Sequence, residues 1–205
     1  MEFSDVSGNL PLLRKELAKK LAGISETLEL ELTQFEQNNI RFLNAIEDIS
    51  RKFAAMETLT STYLLDGLLS EHTGKSKEIS RAIHRLGSKG YSALIAIERN
   101  DSVLPHISGG TPIHARISSQ LLETLFHPAS GLQEGAVLIQ GDTIVSAANI
   151  LPLTKAIFWD RMYDVRELSA VGLSERCDAL LLLISNSGAT SVVLDGKLIS
   201  VSLSS

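Results

Sequence analysis

Two pairs of short β-rich runs in the C-terminal half, each pair joined by a two-residue polar turn, decide most of what this chain can fold into. Ala136–Gln140 and Thr143–Ala147 flank Gly141-Asp142, and Ser191–Leu194 and Lys197–Leu203 flank Asp195-Gly196. Turn pairs of this kind reach the positive-φ conformations that close antiparallel hairpins, so each pair predicts one. Between the hairpins lies Ala179–Ile184, an unbroken apolar run that predicts a strand covered on both faces. Tyr91–Ile97, with Ala-Leu-Ile-Ala-Ile inside it, predicts another core strand. Helical spacing recurs at Ile117, Leu121, Leu122, Leu125 and Phe126, over Lys77–Leu86 between a Ser76 cap and a Gly87 stop, over Tyr63–Ser70, and from Trp159 to Val171. Glu71–Lys75 reads as a polar loop. The fold class is therefore α/β (α+β), a mixed central β-sheet flanked by helices.

The N-terminal third has a different period. Its apolar residues fall at Leu13, Leu17, Leu21, Ile24, Leu28, Leu32 and Phe35, then at Phe42, Ile46, Ile49, Phe53 and Met56. These threes and fours draw one stripe along a helix. Gly23-Ile24-Ser25 interrupts the stripe, which predicts a short helix to about Ala22 and a long one from about Glu26 to Met56, folded as an α-helical hairpin. A continuous rod is the alternative, with Gly23 inside it at a cost of about 1 kcal/mol. Thr58–Thr62 reads as a hinge, so residues 1–60 form a helical unit and 61–205 a second domain. The stripe carries no cluster of ligands or bases. Its seam suits packing on its own domain or on a copy of itself, and hence regulation or assembly.

Composition removes several function classes. A net charge of -5 over 205 residues leaves no basic stripe to neutralise nucleic-acid phosphates. The single cysteine, Cys177, cannot form an internal disulfide, which fits a reducing cytoplasm. No apolar run reaches the roughly 18 residues of a membrane-spanning helix, and Met1–Leu10 lacks the grammar of a signal peptide. Gly74-Lys75-Ser76 imitates the end of a phosphate loop, but Leu69 stands where the first glycine of that motif belongs. The five histidines lack metal-ligand spacing, and no Gly-x-Ser-x-Gly elbow is present.

What remains is a set of polar residues at strand mouths. Gly135 precedes the first hairpin strand, where the lack of a side chain lets a ligand or another backbone approach, and Glu134 stands beside it. Ser174 and Glu175 fall in a predicted loop leading into the buried strand, a common place for ligand contacts in α/β folds.

From about Ala82 to Ser202 the chain resembles the diadenylate cyclase family in the order and spacing of its blocks. These are YSALIAIERN, SGGTPIHARISSQLLETLF, EGAVLIQGDTIVSAANILPL and RELSAVGLSERCDALLLLISNSGATSVVLDGKL. Gln133, Glu134, Gly135 and Ala136 match the family's His-Asp-Gly-Ala. Val165, Arg166, Glu167 and Leu168 match its Thr-Arg-His-Arg. Leu151-Pro152-Leu153-Thr154 matches Leu-Pro-Leu-Ser, and Gly172-Leu173-Ser174-Glu175 matches Gly-Ile-Ser-Glu. The helical N-terminus resembles the soluble, sporulation-associated type of bacilli.

The resemblance implies the diadenylate cyclase fold and condensation of two ATP into cyclic di-AMP. It implies catalytic roles for Glu134 and Arg166, and ATP contacts by Gly135, Ala136, Leu151, Leu153, Arg166, Glu167, Ser169, Ser174 and Glu175. A Mn²⁺ or Mg²⁺ ion would lie at Glu134 and Gln133, where Gln133 replaces a histidine and is a poorer transition-metal ligand. Because each domain holds one ATP, it further implies face-to-face dimers within a homo-oligomer, up to a hexamer. Glu167 and Leu168 lower the positive charge where the triphosphate would lie, so ATP binding weakens unless Glu167 turns away. The competing reading is a non-catalytic nucleotide-binding or oligomerisation module on the same fold.

Overall fold

The computed structural model describes residues 10–33, 39–157 and 162–201. It divides into two compact units, Met1–Gly67 and, apart from the last residues, Leu68–Leu203.

The first unit is helical. Helix α1 spans Leu10–Thr33 and α2 spans Asn39–Ser70. Ile24 of α1 meets Ile49 and Met56 of α2 in a buried cluster, with Leu17 and Leu28 packed against it. Part of the stripe read from the sequence thus forms the seam between two helices, while its Leu21, Leu32, Ile46 and Phe53 are exposed and Phe35 lies outside the described residues; the break is misplaced. Gly23 lies inside α1, where a Cβ would meet nothing within 4 Å, and its carbonyl accepts a bond from Thr27 Oγ1 at 2.8 Å. The seam outweighs the roughly 1 kcal/mol that glycine costs a helix. The expected hinge at Thr58–Thr62 and the separate helix at Tyr63–Ser70 are both continuous α2. Thr60 Oγ1 returns its hydroxyl to Met56 O at 2.9 Å, so the hydroxyl-rich patch satisfies itself within the helix.

The second unit is a seven-stranded sheet in the order β2-β4-β3-β1-β5-β6-β7. Its strands are β1 Ala93–Ile97, β2 Ser108–Arg116, β3 Ala136–Gln140, β4 Thr143–Ile150, β5 Leu180–Ile184, β6 Thr190–Leu194 and β7 Lys197–Val201. Both expected hairpins are present, β3–β4 and β6–β7. The central strand β1 runs parallel to β3 and antiparallel to β5, which makes the sheet mixed. β1 and β5 are buried along their whole length, as unbroken apolar runs require.

Helices α3 Ser76–Lys89, α4 Ser119–Leu125 and α5 Val165–Ser174 complete this unit among the described residues. Ala170, Val171 and Leu173 of α5 join Leu94, Ala96, Ala136, Leu138, Leu181 and Leu183 in the core on one sheet face. The alternate residues Ile95, Ile97, Val137 and Ile139 are fully buried on the other.

Four details depart from expectation. β2 is an edge strand that sequence pattern did not mark, because Gly109, Gly110 and Pro112 are poor strand formers and its positions are mostly exposed. Helix α3 runs past Gly87 to Lys89 and ends on Gly90 at φ 66°. Gly87 serves close approach instead, since a Cβ there would stand 3.2 Å from Gly188 O. Ser76 is the first helical residue and not the cap. The preceding loop is tied to the β3–β4 turn, where Asp142 Oδ1 accepts from Thr73 Oγ1 at 2.9 Å and Gly74 N at 2.8 Å. Finally, α5 begins at Val165 rather than near Trp159, which lies outside the described residues, and it includes Gly172, Leu173 and Ser174.

Candidate active site

Gly135 opens β3 at φ 88°, a conformation that L side chains rarely adopt. A Cβ there would stand 2.5 Å from Asn149 O, so glycine is required by space as well as by torsion. The partner strand is irregular at this point. The β3–β4 register shifts between Ala136 and Leu138, and Ala148 takes φ 57°. Such bulges bend a strand and re-aim what precedes it. Ala136 is buried, while Glu134 is exposed and carries its carboxylate free of hydrogen-bond partners among the described residues. Gln133 Nε2 donates to Pro128 O at 3.2 Å, and the amide oxygen is the atom of this side chain able to bind a metal ion.

Because β1 and β3 run parallel, Ser92, just before β1, and the Glu134–Gly135 mouth, just before β3, lie at the same end of the sheet. Ser92 in turn lines a cavity of about 370 Å³ together with Arg166, Glu167, Ile184, Asn186 and Ser191. The sheet thus brings the β3 mouth and the start of α5 to the same set of strand ends.

The α5 N-terminus is closed by a capping box. Glu167 N donates to Asp164 Oδ1 at 2.8 Å, and Asp164 N donates to Glu167 Oε2 at 3.0 Å. Glu167 therefore turns back onto its own helix, the geometry under which the sequence allowed it beside a phosphate site. Arg166 is half-buried at the cavity wall, and its guanidinium has no ion pair among the described residues.

The Leu151–Thr154 segment lies against α5. Thr154 N donates to Leu168 O at 3.1 Å, and Thr154 Oγ1 donates to Glu175 Oε1 at 2.8 Å. A Cβ on Gly172 would stand 2.2 Å from Pro152 O. Leu151 is buried in the core, so its expected nucleotide contact is limited to whatever edge remains at 7% exposure. Leu153 is exposed and open to a ligand.

The serines are engaged within the scaffold. Ser169 gives its hydroxyl proton to Val165 O at 2.6 Å. Ser174, buried, donates to Val171 O at 2.9 Å and accepts from Gly196 N at 3.1 Å, which ties α5 to the β6–β7 turn. Eight residues of helix rise separate it from Arg166 by about 12 Å. Ser174 and Glu175 thus stand at the far end of α5, holding the scaffold. The structure adds Ser92, Asn186, Ser191 and the buried Asn149. No sequence motif marks them, because strand register and a bulge bring them here.

At this end of the sheet the described residues offer an exposed carboxylate, Glu134, and a cavity walled by Arg166 at the α5 N-terminus, groups chemically suited to a phosphate-bearing ligand. The described residues contain no cluster of three His, Cys, Asp or Glu side chains that could hold a metal by themselves.

Comparison with known proteins gives the same class. The family model for the DisA bacterial checkpoint controller nucleotide-binding domain matches residues 80–198. The model for the diadenylate cyclase CdaS N-terminal region matches residues 9–72. The chain belongs to the diadenylate cyclase family. It is 39% identical to diadenylate cyclase CdaS of Bacillus thuringiensis over 93% of this chain and 98% of that one. It is 34% identical to cyclic di-AMP synthase CdaS of Bacillus subtilis over 97% and 95%. A crystal structure titled as a hypothetical membrane spanning protein from Bacillus cereus superimposes with a TM-score of 0.85 at 36% identity, covering 94% of this chain and 95% of that chain. Among the described residues here, no helix is long and apolar enough to cross a membrane.

Proposed function

We propose that this protein is a diadenylate cyclase that condenses two ATP into cyclic di-AMP and two pyrophosphates in the cytoplasm, at a face-to-face pair of subunits. The observation that carries the reading is that the Glu134–Gly135 mouth opens at the same end of the sheet as Ser92, which lines the cavity walled by Arg166. In each half-reaction a ribose 3′-oxygen bonds to the α-phosphorus of the other nucleotide. The bond to pyrophosphate breaks, and the hydroxyl proton passes to a base. Glu134 orients that hydroxyl and accepts the proton directly or through water. Arg166 pairs with phosphate oxygens as charge builds on them, and Gly135 lets the backbone approach the nucleotide. Leu153 offers an apolar surface to the base.

The donor set fits a hard divalent ion, since Mg²⁺ is commonly held by one or two carboxylates plus substrate phosphates. Glu134 would hold Mn²⁺ or Mg²⁺, with the Gln133 amide oxygen as a weak second donor. When bound, the ion would neutralise phosphate charge and polarise the attacked centre.

Pairing of subunits is supported by apolar residues left exposed along the segment that borders the site, Ile150, Leu153, Ile157 and Val165. A second copy would cover them. Exposed Leu21, Leu30, Leu43 and Phe53 on the helical unit offer a further surface for higher-order assembly, up to a hexamer, and for regulating access to the pairing face.

One observation favours a second reading, binding without turnover. Asp164 and Glu167 line the cavity beside Arg166, and their carboxylates would oppose the phosphate charge that builds up during turnover. Incubation of the purified chain with ATP and Mn²⁺ or Mg²⁺, resolved by chromatography against Glu134→Ala, separates the two. Cyclic di-AMP from the intact chain alone is the expected result. ATP binding with no product from either protein assigns the second reading.

A further inference from the structure

The cyclase reading depends on where the β3 mouth holds Glu134 and Gly135, and one buried side chain sets that mouth. Asn149 is 2% exposed. Its Nδ2 donates to Ala136 O at 2.8 Å, and its Oδ1 accepts from Ser146 Oγ at 2.8 Å. It follows Ala148, whose φ of 57° marks the β4 irregularity. Its own carbonyl lies under Gly135, so close that a Cβ there would come within 2.5 Å. From the opposite strand, Gly110 at φ 89° leaves room for the amide, since a Cβ would stand 2.2 Å from Asn149 Oδ1. Three chain segments therefore converge on one amide.

Nothing in the core calls for polarity at this place. The neighbouring buried residues of β4, Ile144 and Ala147, are apolar. A buried amide with donor and acceptor both satisfied fixes a single local geometry, and its partner carbonyl belongs to the residue directly after Gly135.

We infer that Asn149 is a positioning residue for the cyclase reaction. It clamps the Ala136 carbonyl to β4, which holds Gly135 in its left-handed conformation and presents Glu134 at the strand mouth. The inference rests on the cyclase reading for its kinetic consequence and on the geometry alone for its structural one.

Asn149→Asp keeps the size and the bond from Ser146 but turns an acceptor toward the Ala136 carbonyl. The expected result is a fall in kcat of about 10- to 100-fold, the scale of a misplaced reacting group. KM for ATP stays within about threefold, because the nucleotide contacts at Arg166 are untouched. Peptide-level hydrogen exchange over residues 133–138 accelerates while β5 stays protected. Gly110→Ala on the exposed edge strand displaces the same amide from the other side and gives the same pattern. It stands in should the Asp variant fail to fold. Unchanged kcat in either folded variant overturns the inference, and so does exchange that rises equally across the sheet, the mark of a purely structural role. If the intact chain makes no product, the cyclase reading fails and exchange alone decides: unaltered exchange at 133–138 then overturns the clamp.

Discussion

Helix propensity and packing give opposite answers for Gly172→Ala, and the structure decides between them. By propensity alone, alanine in place of a helical glycine stabilises by about 1 kcal/mol. Gly172, however, faces the backbone of the Leu151–Thr154 segment. An added Cβ would lie 2.2 Å from Pro152 O, 2.4 Å from Thr154 N and 2.5 Å from Leu153 C. Ordinary carbon contacts begin near 3.5 Å, so α5 or the segment must yield by roughly 1 Å. Neither yields easily, because Thr154 N is bonded to Leu168 O and Thr154 Oγ1 to Glu175. Overpacking against backbone costs about 1–3 kcal/mol, toward the upper end where no side chain can swing away. The net expectation is destabilisation by about 1–2 kcal/mol, together with lower cyclase activity from a displaced Arg166. Gly23→Ala is the internal control. With nothing within 4 Å of its Cβ, it should gain about the full propensity term. Urea denaturation followed by circular dichroism reads both, with the two units fitted as separate transitions if they separate. A Gly172→Ala protein as stable as the parent, or more so, refutes the packing argument.

Glu167→Gln keeps a side chain able to serve the capping box but removes a negative charge from the cavity wall. ATP affinity measured by calorimetry should rise several-fold with thermal stability nearly unchanged, and unchanged affinity would place the triphosphate elsewhere. His72 accepts a hydrogen bond from Arg99 Nε at 2.9 Å. Burial, and then the Arg99 charge, push its pKa below the usual 6.5, although Glu71 and Asp178 pull the other way. The folded state thus favours neutral His72. Its contribution is complete above about pH 6.5 and is lost as pH falls through the lowered folded value. His72→Gln should therefore flatten the decline in stability on acidification below pH 6.5, and identical pH–stability slopes for the two proteins would exclude the effect.

The parts of the fold that the sequence displayed are those in which one local cause determines one outcome. Gly141-Asp142 and Asp195-Gly196 closed the hairpins as expected, with positive φ at Gly141, Asp195 and Gly196. Unbroken apolar runs became the central strands. Where a residue has several uses, pattern misled. Gly87 and Gly23 both resembled helix stops, yet one clears space for Gly188 and the other lies on an open helix surface. β2 escaped notice because an exposed edge strand need not alternate, and its bulge between Pro112 and Ala115 breaks what alternation exists. The site divides in the same way. Glu134, Gly135 and Arg166 stand at motif positions, whereas the places of Asn149 and Ser92 come only from the sheet's pairing. Ser174, also at a motif position, ties α5 to the β6–β7 turn.

The Asp164–Glu167 pair has a consequence for how a nucleotide could sit. The first-turn N–H groups of a helix have no intrahelical acceptors and are available either to a cap or to a phosphate. Here Asp164 takes the N–H of Glu167, and Glu167 takes that of Asp164. Among the described residues, the N–H groups of Val165 and Arg166 and the Arg166 guanidinium have no acceptor and remain as donors. A phosphate received at α5 would therefore rest against Arg166, in the cavity that Asp164 and Glu167 also line. The same acid that stabilises the helix locally also weakens the field its N-terminus presents to an anion. Under the cyclase reading, Glu167 thus strengthens α5 and would leave a larger share of phosphate recognition to Arg166.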